Sequence, residues 1–239
     1  MSTFVIVHGG WHTGAEFEPT AAPLRAAGHE VHLPTLAGNR PGDSRDVGLG
    51  EAIDSLVDYL VRHDLRDIVL VGHSYGGMVI TGAADREMTR VRRLVYWNAF
   101  VPLDGETLND LVPPHYAAMF ASLTQPDGSV TLPFAIWREA FINDADLALA
   151  EAAYAQLNPH PARTFSEPIR LTRPPAEFPC GKSYLNCTED TAMPPTLPWH
   201  PRLSQRLGLY RLVQVPGSHE LCFTDPARLA DAILRAGRD

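Results

Sequence analysis

The sequence is poor in cysteine, has no long apolar run and lacks an excess of positive charge. Its 239 residues include 3 cysteines, an odd number without the spacing of metal ligands: Cys180, Cys187 and Cys222. Neither a disulfide framework nor a metal site is therefore predicted. The formal net charge of −8 excludes the basic surface that nucleic-acid binding requires. No apolar run approaches the ~20 residues of a membrane span, and Phe4–Val7 is too short for the core of a signal peptide, so a cytoplasmic protein is expected.

Short apolar runs and helix-length segments alternate along much of the chain. The runs that predict strands are Phe4–Val7, Glu30–Leu33, Ile68–Val71, Leu94–Trp97, Ser183–Asn186 and Arg211–Val215. Apolar residues at helical spacing lie between them, for example in residues 53–60. This alternation favours one α/β domain with a mostly parallel, doubly wound sheet. With 45% apolar residues, the chain can bury one sizeable core.

The alternation breaks down between residues 102 and 175. Proline-rich turns and helical stretches such as Asp146–Leu157 replace it. We interpret residues 102–175 as a cap inserted into a core made of residues 1–101 and 176–239, one structural domain overall. Aromatic residues of the insertion, among them Phe120 and Trp137, are candidates for a pocket wall, although packing of the insertion onto the sheet also explains them.

A glycine-flanked serine follows the third predicted strand. Gly72-His73-Ser74-Tyr75-Gly76 matches G-x-S-x-G between a buried strand and a helix pattern. In that context the motif is typical of a strained turn that lifts the serine hydroxyl into a cleft, and its glycines avoid collisions with the neighbouring strand and helix. A serine hydroxyl is a poor nucleophile until a base removes its proton. Ser74 is the predicted nucleophile, and its activation requires a histidine and a carboxylate.

His219 has the position expected of the base. It follows the last predicted strand in Pro216-Gly217-Ser218-His219, ahead of a predicted helix, as the chain order serine, acid, histidine requires. Two adjacent carboxylates, Glu189 and Asp190, follow the preceding strand and compete for the role of the acid. Side chains of neighbouring residues point apart on an extended segment, so only one of them is expected to reach the imidazole. Structural or hydrogen-bonding roles are expected for three other histidines, His8, His12 and His73.

Attack on a carbonyl leaves negative charge on oxygen, which requires preorganised N–H donors. The N–H of Tyr75, next to the nucleophile, is placed to donate, and a second donor is expected from His8-Gly9-Gly10-Trp11 after the first strand. A tight turn alone would also explain the two glycines. We assign the second donor to Gly10, because the turn after the first strand is where this arrangement needs one.

These motifs together resemble the small α/β hydrolases that include plant methylesterases and plant hydroxynitrile lyases. The resemblance spans nearly the whole chain and rests on four segments: His8-Gly9-Gly10-Trp11-His12, Gly72-His73-Ser74-Tyr75-Gly76-Gly77, Thr188-Glu189-Asp190 with Met193-Pro194, and Gly217-Ser218-His219. It implies the α/β-hydrolase fold, a compact cap over the active site and catalysis without a cofactor. It also favours Asp190 as the acid, with Glu189 as the alternative, because Met193-Pro194 resembles the apolar-proline turn that follows the acid in this fold.

The same resemblance separates ester hydrolysis from cyanide-releasing chemistry. The hydroxynitrile lyases of this group carry a threonine after the opening histidine and a lysine after the catalytic histidine, where the lysine stabilises cyanide. This chain has Gly9 and Glu220 at those positions. A carboxylate beside the base disfavours a cyanide anion, so this lyase chemistry is not expected.

The predicted function is that of a serine hydrolase cleaving a carboxylic ester or lactone through an acyl-enzyme, for instance a methyl ester of an apolar or aromatic acid. Candidate pocket walls are Trp11, Tyr75, Phe100, Phe120 and Trp137. Two alternatives remain: a non-hydrolytic lyase or natural-product tailoring enzyme, and a ligand-binding protein on the same fold. A small-molecule substrate is the partner expected, and the sequence does not determine the oligomeric state.

Overall fold

The computed structural model describes residues 1–239. Its eight strands are β1 (Thr3–Val7), β2 (Glu30–His32), β3 (Ile68–His73), β4 (Val91–Trp97), β5 (Ser129–Val130), β6 (His160–Pro161), β7 (Gly181–Cys187) and β8 (Arg211–Val215). Six strands form one parallel sheet in the order β2-β1-β3-β4-β7-β8, and β5 pairs with β6 as a separate antiparallel ribbon. The prediction of a parallel sheet is confirmed.

Helices cover both faces of this sheet. The α-helices of the chain are α1 (Glu18–Ala26), α2 (Leu49–Arg62), α3 (Gly76–Arg86), α4 (Leu108–Leu111), α5 (Pro114–Leu123), α6 (Phe134–Ile136), α7 (Leu147–Tyr154), α8 (Arg163–Ser166), α9 (Leu221–Thr224) and α10 (Pro226–Ala236). The pair α1 and α10 packs on one face, and the pair α2 and α3 packs on the other. None of these helices is both long and apolar enough to cross a lipid bilayer.

The central strand β3 shows why its sequence is a continuous apolar run. Every residue of β3 is buried, because helices cover the sheet on both sides. Ile68 and Leu70 belong to the apolar core under α2 and α3, whereas Val69 and Val71 belong to the core under α1 and α10. The alternation of a strand thus supplies side chains to two cores.

The carboxyl ends of the parallel strands bring the predicted functional segments to one edge of the sheet. Because β1 pairs with β3, the loop that follows Val7 lies beside the turn that carries Ser74. Because β7 pairs with β8, the segments that carry Asp190 and His219 also start from neighbouring strand ends. A parallel sheet commonly places its ligand site at this edge.

Residues 102–175 leave the sheet after β4 and return to it before β7. They contain α4 to α8 and the β5–β6 ribbon, and none of these elements pairs with the main sheet. Within this segment Asp146 is the N-cap of α7, and its carboxylate accepts the N–H of Leu149 at 2.8 Å. The helix ends at Tyr154, three residues before the expected Leu157. The division of the chain into a core and a cap stays a prediction.

Candidate active site

Ser74 lies in a strained turn between β3 and α3. Its φ of 53° is in the left-handed region, which is uncommon for a residue with a side chain. The turn packs this closely because Gly76 has no side chain: a Cβ there would lie 2.7 Å from the carbonyl oxygens of both Val7 and His8. The turn places Ser74 in the wall of a cavity, as a nucleophile elbow does.

Asp190, and not Glu189, contacts His219. Oδ2 of Asp190 lies 2.6 Å from Nδ1 of His219, and both side chains are only 1% exposed. Two further donors hold the carboxylate, the side-chain amide of Asn98 at Oδ2 and the N–H of Ala192 at 2.8 Å from Oδ1. Glu189 is exposed to solvent. Of the two adjacent carboxylates, only Asp190 can orient the imidazole.

His219 is buried with its second ring nitrogen free. Nδ1 donates to Asp190, which leaves Nε2 to accept a proton, and Nε2 has no hydrogen-bond partner in the protein. Burial lowers the pKa of His219, but the carboxylates of Asp190 and Glu220 outweigh burial and raise this pKa above its ordinary value. His219 and Ser74 line the same cavity, so the imidazole and the serine hydroxyl face one space.

Two backbone N–H groups beside Ser74 donate no hydrogen bond within the protein. They belong to Gly10 and Tyr75, the two residues expected to form the oxyanion hole. Both residues line the cavity together with Ser74. Unpaired N–H groups beside a serine hydroxyl are able to stabilise an anionic oxygen there.

The loop formed by residues 8–11, here called the oxyanion loop, is held by ring nitrogens. Nδ1 of His8 donates to the carbonyl of Gly9 at 2.8 Å, and its Nε2 accepts the N–H of Leu36 at 3.1 Å. That pattern requires a neutral ring, and burial lowers the pKa of His8 to about 4. Nδ1 of His12 donates to the next carbonyl, that of Gly10, at 2.7 Å. Successive carbonyls of the loop are therefore fixed by two histidines, which confirms a hydrogen-bonding role for both.

The cavity beside Ser74 has almost entirely apolar walls. Apart from Ser74, His219 and Gly10, its lining consists of Trp11, Tyr75, Phe100, Leu108, Val112, Tyr116, Phe120, Phe141, Phe165, Ala192, Met193 and Trp199. No carboxylate, lysine or arginine lines it. Such walls favour an uncharged apolar ligand. The cavity is narrow, with about 30 Å³ open to the centre of a water molecule.

Four of the five predicted wall residues lie in this lining, and Trp137 does not. Its ring is fully buried inside the segment between β4 and β7, where Nε1 donates to the carbonyl of Ala150 at 3.0 Å. Phe165 and Trp199 could not be identified as wall residues from the sequence, because both follow irregular segments whose spacing predicts neither a strand nor a helix. The ring of Trp199 stacks on His219 with centroids 5.2 Å apart.

Glu220 points away from the cavity into a buried layer. Its Oε2 lies 3.2 Å from Nε2 of His12, with the side chains 1% and 2% exposed, and Glu220 is absent from the cavity lining. Glu220 therefore does not line the pocket, and the expectation that its charge disfavours a cyanide anion there stays a prediction. The lining also contains no lysine that could stabilise a cyanide anion. At Gly9 an added Cβ would lie 2.9 Å from Nδ1 of His73, so a threonine would not fit there without a shift.

His73, His219 and Glu220 bring three potential metal-ligand atoms within 4.8 Å of one another. Each residue already has a partner in the protein. Nε2 of His73 donates to the backbone carbonyl of His219 at 3.0 Å, Nδ1 of His219 donates to Asp190, and Glu220 is paired with His12. These contacts join the turn that carries Ser74 to the loop that carries His219. The absence of a metal cofactor stays a prediction from the sequence.

Comparison with known proteins gives matches over most of the chain. Residues 4–232 match the family model described as the alpha/beta hydrolase family. A carbendazim hydrolyzing esterase from Nocardioides sp. (strain SG-4G) is 45% identical over 127 residues, which are 50% of this chain and 52% of that protein. Salicylic acid-binding protein 2 from Nicotiana tabacum is 25% identical over 259 residues, covering 97% of this chain and 95% of that protein. The solved structure of an extracellular alpha/beta-hydrolase from a Paenibacillus species is 37% identical, with a TM-score of 0.96 and coverage of 100% of both chains.

Proposed function

The chain belongs to the alpha/beta hydrolase family, and from that premise we propose that it cleaves a carboxylic ester or lactone through an acyl-enzyme on Ser74. The resemblance to the group of plant methylesterases and hydroxynitrile lyases is confirmed by the relatives, and the protein is a hydrolase. One observation carries the finer proposal. The His219–Asp190 pair, with Nε2 of His219 free, opens onto the same apolar cavity as Ser74.

In the proposed acylation step, Nε2 of His219 takes the proton of the Ser74 hydroxyl as the oxygen attacks the ester carbonyl. The carbonyl oxygen becomes an anion, and the N–H groups of Gly10 and Tyr75 donate to it. Asp190 holds Nδ1 of the imidazole and stabilises the positive charge that the ring acquires. The protonated ring then gives its proton to the departing alcohol, and an ester of Ser74 remains.

Deacylation repeats the same steps with water as the nucleophile. Nε2 of His219 accepts a proton from the water molecule as its oxygen attacks the acyl group on Ser74. The oxyanion forms at the same two N–H groups, and Ser74 leaves with the proton from the imidazole. The free acid is the product, and every step uses a side chain, a backbone N–H or water. We accordingly propose a reaction that needs neither a metal nor a cofactor.

The walls of the cavity support an uncharged substrate with a flat apolar acid part. Rings of Trp11, Phe120, Phe141 and Trp199 surround the space beside Ser74, and no ionic side chain other than His219 reaches it. A charged acyl group would lose its hydration there without gaining a partner. The name of the tobacco relative, salicylic acid-binding protein, is in line with an aromatic acid. Methyl esters and lactones of aromatic acids are therefore the proposed substrates.

We keep two further expectations as proposals. The partner is a small-molecule substrate, because the site is a narrow apolar cavity rather than a flat exposed surface. The cytoplasm is kept as the proposed location.

The decisive measurement is labelling by a fluorophosphonate, followed by intact-protein mass spectrometry. Wild type should gain one adduct, Ser74→Ala should gain none, and His219→Ala should label slower by about 100-fold or more. Ser122→Ala is the matched control, since Ser122 is an exposed serine whose hydroxyl donates only to a backbone carbonyl, and it should label like wild type. A folded wild type that stays unlabelled, or an adduct that survives Ser74→Ala, would show that the nucleophile assignment is wrong.

Turnover distinguishes hydrolysis from the two alternatives. The labelled protein should hydrolyse a panel of neutral aromatic methyl esters and lactones, and esters with a charged acid part should be poorer substrates because the cavity has no counter-ion. Labelling without hydrolysis of any ester or lactone would instead favour a non-hydrolytic enzyme or a binding protein.

A further inference from the structure

A buried ion pair lies directly behind the oxyanion loop. Both ring nitrogens of His12 face acceptors, the carbonyl of Gly10 at 2.7 Å from Nδ1 and the carboxylate of Glu220 at 3.2 Å from Nε2. An acceptor beside each ring nitrogen favours the imidazolium form, which carries a proton on both nitrogens. Both side chains are almost completely buried, at 2% and 1% exposure. The contact with Glu220 is an ion pair rather than a well-aligned hydrogen bond.

The pair connects two segments that carry proposed catalytic groups. His12 holds the carbonyl of the residue assigned to the oxyanion hole. Glu220 directly follows His219 in the chain, and a carboxylate oxygen of Glu220 lies within 4.8 Å of a ring nitrogen of His219. A buried ion pair is a weak source of stability, because removing both charges from water costs about as much as their attraction returns. Apolar side chains of similar volume would fill this layer as well. Stability therefore does not explain why a charged pair occupies this layer.

We propose that the His12–Glu220 ion pair is a positioning device, in which His12 fixes the oxyanion loop and Glu220 sets the basicity of His219. The inference rests on the proposed function. Trp11, which follows the carbonyl that His12 holds, has a φ of 66°, a backbone conformation that costs energy for a residue with a side chain. A loop in such a conformation persists only when neighbouring groups hold it, and the ring of His12 supplies one such contact.

The charged groups around His219 determine whether its pKa rises or falls when Glu220 loses its charge. Four charged or titratable side chains lie around His219: Asp190, Glu220, His12 and His73. Two more carboxylates lie one step further away. Asp144 accepts the N–H of Ser218, and Glu16 acts on His12. Burial disfavours the imidazolium of His12, but Glu220 and Glu16 raise the pKa of His12. Glu220 raises the pKa of His219 and His12 lowers it, and the carboxylate has the larger effect. Loss of the Glu220 charge therefore lowers the pKa of His219.

Glu220→Gln tests the electrostatic half of the proposal. The rate constant of fluorophosphonate labelling is measured against pH, and its acidic limb reports the pKa of the base in the free enzyme. The limb should move to lower pH in Glu220→Gln by about 0.5 to 1 unit, because a negative charge near the imidazolium is removed. The control is Glu30→Gln, which neutralises the carboxylate of the exposed His32–Glu30 pair and should leave the limb unchanged. An unmoved limb, or one at higher pH, overturns this half.

Two double variants test the positioning half without leaving an unpaired buried charge. His12→Asn/Glu220→Gln keeps an amide that can donate to the carbonyl of Gly10, whereas His12→Leu/Glu220→Gln has a side chain of similar size without a donor. At the pH of the plateau, the Asn variant should label within about threefold of Glu220→Gln, and the Leu variant should label slower by about tenfold or more, because an oxyanion donor shifts. Equal rates for the two variants overturn this half.

Two controls keep the outcomes separate. Circular dichroism and thermal unfolding establish that each variant is folded before its rate is interpreted. If wild type is not labelled, the proposed function fails. If wild type is labelled and loses its adduct in Ser74→Ala, but the Glu220 and His12 variants behave like wild type, then only this inference fails.

Discussion

Replacing Asp190 by Asn should slow the acylation of Ser74 by several orders of magnitude, because the change dictates which nitrogen of His219 carries the proton. In the structure Oδ2 of Asp190 accepts from Nδ1 of His219 at 2.6 Å and from the amide of Asn98, while Oδ1 accepts the N–H of Ala192 at 2.8 Å. The amide of Asn offers one acceptor oxygen in place of two. One side of the former carboxylate must therefore present an NH₂ group to a donor.

Both orientations of that amide are unfavourable for catalysis. If the NH₂ group faces His219, the proton moves to Nε2, which can then no longer accept one from Ser74. If it faces the N–H of Ala192, two buried donors meet, at a cost of about 1–3 kcal/mol. Either way the negative charge that stabilises the imidazolium is lost. In serine proteases the equivalent change costs about 10⁴-fold, or about 5.5 kcal/mol, and we expect a loss of about 10³- to 10⁴-fold here.

The assay is the second-order rate constant of fluorophosphonate labelling near pH 8, with p-nitrophenyl acetate hydrolysis as the second readout. Glu189→Gln is the matched control, because it makes the same change of carboxylate to amide at the adjacent, exposed position. It should label within about twofold of wild type, as expected for an exposed surface substitution. A loss below about tenfold in Asp190→Asn, or an equal loss in both variants, would refute the assignment of the acid.

Two further predictions concern folding. Gly76→Ala should lower the free energy of unfolding by about 2–3 kcal/mol, because its Cβ would lie 2.7 Å from the carbonyl oxygens of Val7 and His8. Gly50→Ala, whose Cβ would approach only the end of a flexible side chain at 3.2 Å, should cost much less, and equal costs in urea unfolding would contradict the explanation. The second prediction concerns unfolding in acid. In the folded protein the pKa of His8 is lowered to about 4. The contribution of the neutral His8 ring to the free energy of unfolding is therefore fully present above the unfolded pKa of about 6.5, and it is lost as the pH falls from about 6.5 towards 4. Between about pH 7.5 and pH 5, wild type should lose about 2 kcal/mol more unfolding free energy than His8→Asn, whereas a His63→Asn control at an exposed position should behave like wild type.

Much of the fold and part of the site follow from local patterns. The run Ile68–Val71 predicts a strand buried on both faces because such a strand needs apolar side chains on both sides, and β3 has that environment. The motif around Ser74 predicts a tight turn because only glycine fits where backbones approach this closely, and the Cβ contacts at Gly76 give the same reason. His219 follows from its place after the last strand, since parallel strands end at one edge of the sheet.

Other features depend on contacts between segments far apart in the chain. The sequence did not decide between Asp190 and Glu189 as the acid, because both follow the same strand. In the structure the amide of Asn98, at the end of β4, helps to hold Asp190 against His219. The direction of Glu220 depends on His12, more than two hundred residues earlier. The place of Trp137 depends on the carbonyl of Ala150, which keeps the ring inside the insertion and out of the cavity.

The sequence by itself therefore determined the parallel α/β architecture, the turn at Ser74 and the position of His219, because strand burial, backbone approach at glycine and chain order are properties of short segments. Only the tertiary structure decided that Asp190 contacts His219, that Glu220 turns away from the cavity and which aromatic rings form its walls. In irregular loops the direction of a side chain is set by the partners that surround it, and those partners come from every part of the chain.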